Sequence, residues 1–166
     1  MADRHATAGG SFRRNRGWLA FVVLSLLMAG ALSGLLGGVH NRDLSIDTPA
    51  AAMRVHAPAV LRNGEFFEFR VQITARRDIA EPVITISAPY WRDVTINTMV
   101  PAPAEETFSG DAFQFKYEAL KAGDRLEMKI DGQINPARMG GSRGLVSLLD
   151  GETPVAQTPI ELTVLP

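Results

Sequence analysis

Apolar and polar side chains alternate along Phe66-Phe67-Glu68-Phe69-Arg70-Val71-Gln72-Ile73-Thr74. Phe67, Phe69, Val71 and Ile73 fall on one face of an extended chain, and Glu68, Arg70, Gln72 and Thr74 on the other. Successive side chains of a strand point to opposite sides, so the pattern predicts a half-buried β-strand. The same period returns at Ile84/Ile86, Val94/Ile96, Phe113/Phe115/Tyr117, Leu126/Met128/Ile130 and Ile160/Leu162/Val164. Turn residues separate the runs: Asn63-Gly64, Ala88-Pro89, Pro101-Ala102-Pro103, Gly123-Asp124, Asp131-Gly132 and Asp150-Gly151. Each supplies a positive φ, a fixed φ or a side-chain acceptor that bends the chain. Seven or eight short strands spaced by turns predict an all-β domain over 53–166, an immunoglobulin-like antiparallel β-sandwich. A barrel is the other architecture that the pattern allows.

Upstream the pattern changes character. Residues 17–39 form a run of about two dozen positions without a charged side chain, preceded by Arg13, Arg14 and Arg16. At ~1.5 Å per residue such a helix would span a ~30 Å hydrocarbon layer. The expectation is a single transmembrane helix over 17–39, after a disordered cytoplasmic tail over 1–16 and before a spacer over 40–52. Cationic flanks favour the cytoplasm, which predicts a single-pass protein of the cytoplasmic membrane with its C-terminal domain periplasmic or extracellular. A cleaved secretory signal is a competing reading, with Ala29-Gly30-Ala31 offering small residues for a peptidase. A twin-arginine signal at Arg13-Arg14 is a third.

Within that run Gly30, Gly34 and Gly38 recur every fourth position, with Ser33 and Gly37 one position behind. Small residues at this spacing let a second helix approach closely. They predict a helix-packing face, for a homodimer or a membrane-protein partner.

Composition narrows the function. Net charge is +3 over 1–16, from four Arg and one Asp, and −4 over the remainder. No basic stripe runs through the larger part, which argues against nucleic acid. Cysteine is absent, so thiol catalysis, disulfides and thiolate-bound metals are excluded. His5, His40 and His56 are not at metal-ligand spacing, and no phosphate loop or nucleophile elbow is present. Asp124, Asp131 and Asp150 are scattered among turns, short of the six to eight oxygens that calcium takes. No catalytic residue, cofactor or small-molecule substrate is expected. Tyr90-Trp91-Arg92 is the one aromatic–cationic cluster and is a candidate partner surface, since these types dominate interface hot spots; packing of both rings in the core is the alternative. Arg76-Arg77 reads as a solvated turn, and the glycine-rich segment from Asn135 to Gly144 as a tolerant connection.

The run Leu61-Arg62-Asn63-Gly64-Glu65-Phe66-Phe67-Glu68-Phe69-Arg70-Val71 resembles the opening strand pair of bacterial Ig-like conserved-repeat modules of cell-surface and S-layer-type proteins. Leu120-Lys121-Ala122-Gly123-Asp124-Arg125-Leu126 is similar to their later turn, and Ile134-Asn135-Pro136 to the close of the strand after it. The resemblance covers roughly residues 55–136 and departs at Arg76-Arg77-Asp78, where those modules have an Asn-x-Gly turn. It implies a binding or spacer module with no active site. The expected function is a non-catalytic, membrane-anchored accessory or assembly protein that presents its β-domain to a protein partner. A tethered ligand- or ion-binding module is the alternative.

Overall fold

The computed structural model describes residues 10–33, 40–135 and 139–166, with side chains from Gly17 onward. The chain divides into two compact units, Met1–Gly38 and Val39–Pro166. The first contains helix α1, Gly10–Leu32. Its opening positions include Arg13, Arg14, Asn15 and Arg16, so its uncharged stretch runs only from Gly17 to Leu32. That is roughly 24 Å of helix against a ~30 Å hydrocarbon layer. Among the described residues no helix is long and apolar enough to cross a membrane. The expected span over 17–39 is therefore overturned. The inserted-helix membrane partner, the membrane-protein or homodimer contact within a bilayer, and the single-pass location all rested on that span and fall with it.

Among its described residues the second unit holds ten strands and one short helix: β1 (His40–Asp47), β2 (Ala51–Arg62), β3 (Phe66–Ala75), β4 (Pro82–Ser87), α2 (Ala88–Trp91), β5 (Val94–Val100), β6 (Glu105–Ser109), β7 (Ala112–Lys116), β8 (Arg125–Ile134), β9 (Gly140–Asp150) and β10 (Thr153–Leu165). The immunoglobulin-like sandwich of seven or eight antiparallel strands is corrected here. All ten strands belong to one hydrogen-bonded sheet, in the order β5-β8-β3-β2-β10-β9-β4-β7-β6 with β1 on β2, and the sheet curls as a half-barrel. Two features prevent separate sheets. β2 pairs with β3 through Ala51–His56 and then with β10 through Val60, Leu61 and Arg62, so one strand serves both halves. The β2–β10 pairing is also parallel, unlike the others. The segment expected as a spacer forms β1 and the start of β2.

The inner face of the curl is the core. Met53, Val55, Phe69, Val71, Ile73, Ile84, Ile86, Met128, Ile130, Val146, Leu148, Ile160 and Leu162 are all buried. The period-two positions read from the sequence supply much of this list, because alternate residues share a face. Helix α2 follows β4 and sends Tyr90 and Trp91 into that core, against Phe69 at ring-centroid distances of 6.3 and 5.2 Å. The Tyr90 hydroxyl donates to the Pro58 carbonyl at 3.2 Å, which satisfies a buried polar group. α2 packs so closely on β9 that a Cβ on Gly144 would lie 2.7 Å from Tyr90 Cβ. That contact accounts for a glycine in the middle of a strand.

Candidate binding surfaces

The sheet ends at β5 and β6, and the two ends differ. β5 carries a bulge between Ile96 and Thr98, which twists a free edge away from new partners. β6 has no register shift against β7, no proline and no lysine. Its turn to β7 has Gly110 at φ 59° and Asp111 at φ 64°, both positive as a two-residue type I′ hairpin requires. Such a turn is closed by a hydrogen-bonded pair, here Ser109 and Ala112. Counting back by two, Thr107 also bonds to β7. Glu106 and Phe108 therefore direct their N–H and C=O groups away from the sheet. No strand pairs beyond β6 among the described residues.

Phe108 stands on the core side of β6, opposite Phe113, which is in turn opposite the buried Ile86. The two phenylalanine rings meet edge to face at 5.1 Å, yet Phe108 is 59% exposed. At the other end of the sheet, Ile96 of β5, opposite Gly132 of β8, is also exposed. The connector over 101–104 joins β5 to β6, and no hydrogen-bonded pairing does so. The half-barrel thus leaves an apolar margin beside an unpaired edge. Tyr117 sits buried near this margin. Burial, with a smaller contribution from the Glu106 carboxylate, pushes its hydroxyl up to about 12.

A second surface is the outer face of β1, β2, β3, β8 and β5. The registers place its side chains in rows across the strands: Asp47–Ala52–Thr74–Arg125, Ser45–Arg54–Gln72–Glu127, Asp43–His56–Arg70–Lys129 and Glu68–Asp131–Thr98. Most charges here are paired. Lys129 Nζ reaches Glu68 at 2.7 Å, His56 Nδ1 reaches Asp43 at 2.7 Å, and Arg76 reaches Asp47 at 2.6 Å. Arg70 bonds to Glu68. The hydrogen bond from Lys129, assisted by Arg70, holds the Glu68 carboxyl below its usual range, with partial desolvation opposing. Arg70 Nε lies 3.3 Å from Glu127, near enough for charge attraction, but that buried N–H has no hydrogen-bond acceptor. Arg54 and Arg125 have no ion-pair partner among the described residues. Two depressions of about 360 and 340 Å³ mark this face and share Arg54 and Gln72 in their lining.

Of the candidate partner surface, Tyr90 and Trp91 are 1% and 3% exposed and belong to the core; only Arg92 reaches solvent, beside Asp93. Of the small residues expected to pack a helix, Gly30 lies inside α1, and Ser33 ends it with its hydroxyl on the Gly30 carbonyl. Gly34, Gly37 and Gly38 lie outside the described residues, as do Pro136, Ala137 and Arg138 of the glycine-rich connection. Asp124 accepts from the Lys121 backbone N–H, Asp150 from that of Glu81, and Asp131 from Thr98. Among the described residues no group of His, Asp and Glu is arranged to hold a metal ion. The β6 edge had no sequence signal beyond Phe108 near a Gly-Asp turn. The arginine pair is visible only once strand register is known.

No family model matches the chain, and no curated protein matches it. Among solved structures it is similar to a non-cellulosomal cohesin from the hyperthermophilic archaeon Archaeoglobus fulgidus, at 8% identity and a TM-score of 0.37, over 65% of this chain and 87% of that one. It is also similar to part of a GH20 exo-β-N-acetylglucosaminidase from Vibrio harveyi, at 10% identity and a TM-score of 0.30, over 76% of this chain and 18% of that one. Likenesses this distant assign neither a fold family nor a function.

Proposed function

We propose that the β unit is a non-catalytic protein-binding module that takes an extended segment of a protein partner onto β6. The observation that carries this reading is the unblocked edge: outward backbone groups at Glu106 and Phe108 beside an exposed phenylalanine. Strand addition gains affinity from main-chain hydrogen bonds and specificity from alternate side chains. Here an added strand would continue the ladder and lay every second side chain over Phe108 and Phe113. Glu105 and Glu106 favour a basic residue on the partner, since opposite charges across strands attract. The other edge of the sheet, bulged at Asn97, offers no such template.

The test is selection of peptides from a random display library on the immobilised protein. Extended peptides with alternating apolar positions are expected to enrich. Glu106→Pro removes one outward N–H without touching a bond to β7, and proline is tolerated where a strand faces solvent. That variant should fold and lose the selected peptides, while Glu106→Ala should keep them. Failure to enrich peptides, or equal binding by Glu106→Pro, would contradict the reading.

A further inference from the structure

The outer face of β1, β2, β3 and β8 lies away from the β6 edge and carries two depressions that share Arg54 and Gln72. We propose that the two depressions that meet at Arg54, one reaching Arg125 and the other Arg70, form a groove that binds an acidic oligosaccharide, a ligand with carboxylates on a hydroxylated backbone. Lys129, His56 and Arg76 each have a carboxylate partner, so their charge is spent within the face. Arg54 and Arg125 have none among the described residues, and both line the groove. The two carboxylates beside them, Asp47 and Glu127, are drawn to Arg76 and Arg70. The groove is left with uncompensated positive charge at two points.

Register sets the spacing of those points. Arg54 is opposite Gln72 and Arg70 opposite His56, so Arg54 and Arg70 are diagonal neighbours, about 7–8 Å apart and within reach of one another's side chains. A carboxylate between them would receive the charge-assisted fork that guanidinium groups give. Arg125 lies two strands and one two-residue step from Arg54, roughly 12 Å away at ordinary strand spacings. A second anionic group belongs there, and a single small anion would not serve both.

What fills the interval identifies the backbone. Gln72 and Thr74 lie between the cations and offer amide and hydroxyl groups, with Ala52 as a low floor, and Ser45 adds a hydroxyl on the other side of Arg54. No Phe, Tyr or Trp lines either depression, and the one imidazole, His56, is tied to Asp43, so a neutral sugar has no broad stacking platform. A peptide has no main-chain partner either. β2 is paired with β1 and β3, and β3 with β2 and β8, so their backbone groups are used within the sheet. Hydroxyls together with spaced carboxylates satisfy every feature.

Isothermal titration of the full chain at low salt with trigalacturonate tests this, with penta-L-glutamate, galactotriose and sodium sulfate as the other arms. Trigalacturonate is expected to bind, and Arg54→Ala and Arg125→Ala each to weaken it about tenfold, the usual value of one charge-assisted hydrogen-bonded contact. Arg77→Ala, on an exposed turn off the groove, should leave binding unchanged. Glu106→Pro should also leave it unchanged, which separates this site from the β6 edge. Absence of binding by trigalacturonate, equal or tighter binding of penta-L-glutamate, galactotriose or sulfate, or indifference to both arginine substitutions would overturn the proposal.

Discussion

Replacing Gly144 by alanine should destabilise the β unit by about 1–3 kcal/mol, the range for overpacking a filled core. The added Cβ would lie 2.7 Å from Tyr90 Cβ and 3.0 Å from Ser87 Cβ. Carbon atoms in favourable contact sit about 3.5–4.0 Å apart, so the shortfall is close to 1 Å on the Tyr90 side. Neither neighbour can turn aside, because a Cβ moves only with its backbone. The start of α2 would have to retreat, loosening Tyr90 and Trp91 against Phe69. Gly141 of the same strand supplies the control. A Cβ there meets only the Leu162 carbonyl oxygen at 3.8 Å. Gly141→Ala should therefore be neutral or stabilising by up to about 1 kcal/mol through the unfolded chain. Urea unfolding followed by tryptophan fluorescence reads both, with unchanged slope as the sign that compactness is preserved. Stabilities within about 0.5 kcal/mol of each other would refute the packing explanation of Gly144.

Both tyrosines of the chain, Tyr90 and Tyr117, are buried, and burial pushes both hydroxyls upward, that of Tyr117 to about 12. A raised folded value means that the stability tied to the protonated hydroxyl is complete below pH 10 and is lost as pH climbs toward 12. Tyrosinate absorbance should stay flat through pH 10 and rise only above it; half-ionisation near pH 10 would contradict the burial. Phe69→Ala empties the space beneath both rings of α2 and should cost about 3–5 kcal/mol with loss of near-ultraviolet dichroism; a cost under 1 kcal/mol would remove Phe69 from the centre of the core. Asp111 sits at φ 64°, so Asp111→Gly should be neutral or slightly stabilising and Asp111→Val destabilising by about 1–2 kcal/mol in thermal melts. The reverse order would deny the type I′ turn.

Period-two alternation was legible in most strands with one wet and one buried face and in β4, which is buried on both; it was not legible in β2, where alanines fall on both faces and blur the pattern. β3, β4, β7, β8 and β10 were found this way, and β5 through Val94 and Ile96. β6 was not, because Glu105-Glu106-Thr107-Phe108-Ser109 is exposed along its whole length and had no reason to alternate. β1 read as a spacer for a related cause: only Leu44 and Ile46 of its eight residues lean on the core. β9 was blurred by its glycines, one of them required by α2. The join between β2 and β10 ties Leu61 to Val164, a contact with no local signature, and it decides between separate sheets and one curled sheet. At the amino-terminal end, an apolar run measured by sequence alone exceeded the helix that forms, because α1 begins among arginines and ends at Leu32. The Tyr90-Trp91-Arg92 cluster illustrates the same limit. Residue type is shared by hot spots and cores, and only the placement of α2 separates them.

Acceptance of a strand by β6 is measured most directly by amide hydrogen exchange at Phe108. In the free protein the Phe108 amide, directed away from β7, should exchange at close to the rate of an unstructured chain, while that of Thr107 is protected. With a selected extended peptide bound, Phe108 should become protected and Thr107 should change little. Protection that develops across β4 and β9 instead, or a Phe108 amide already slow in the free protein, would contradict the account.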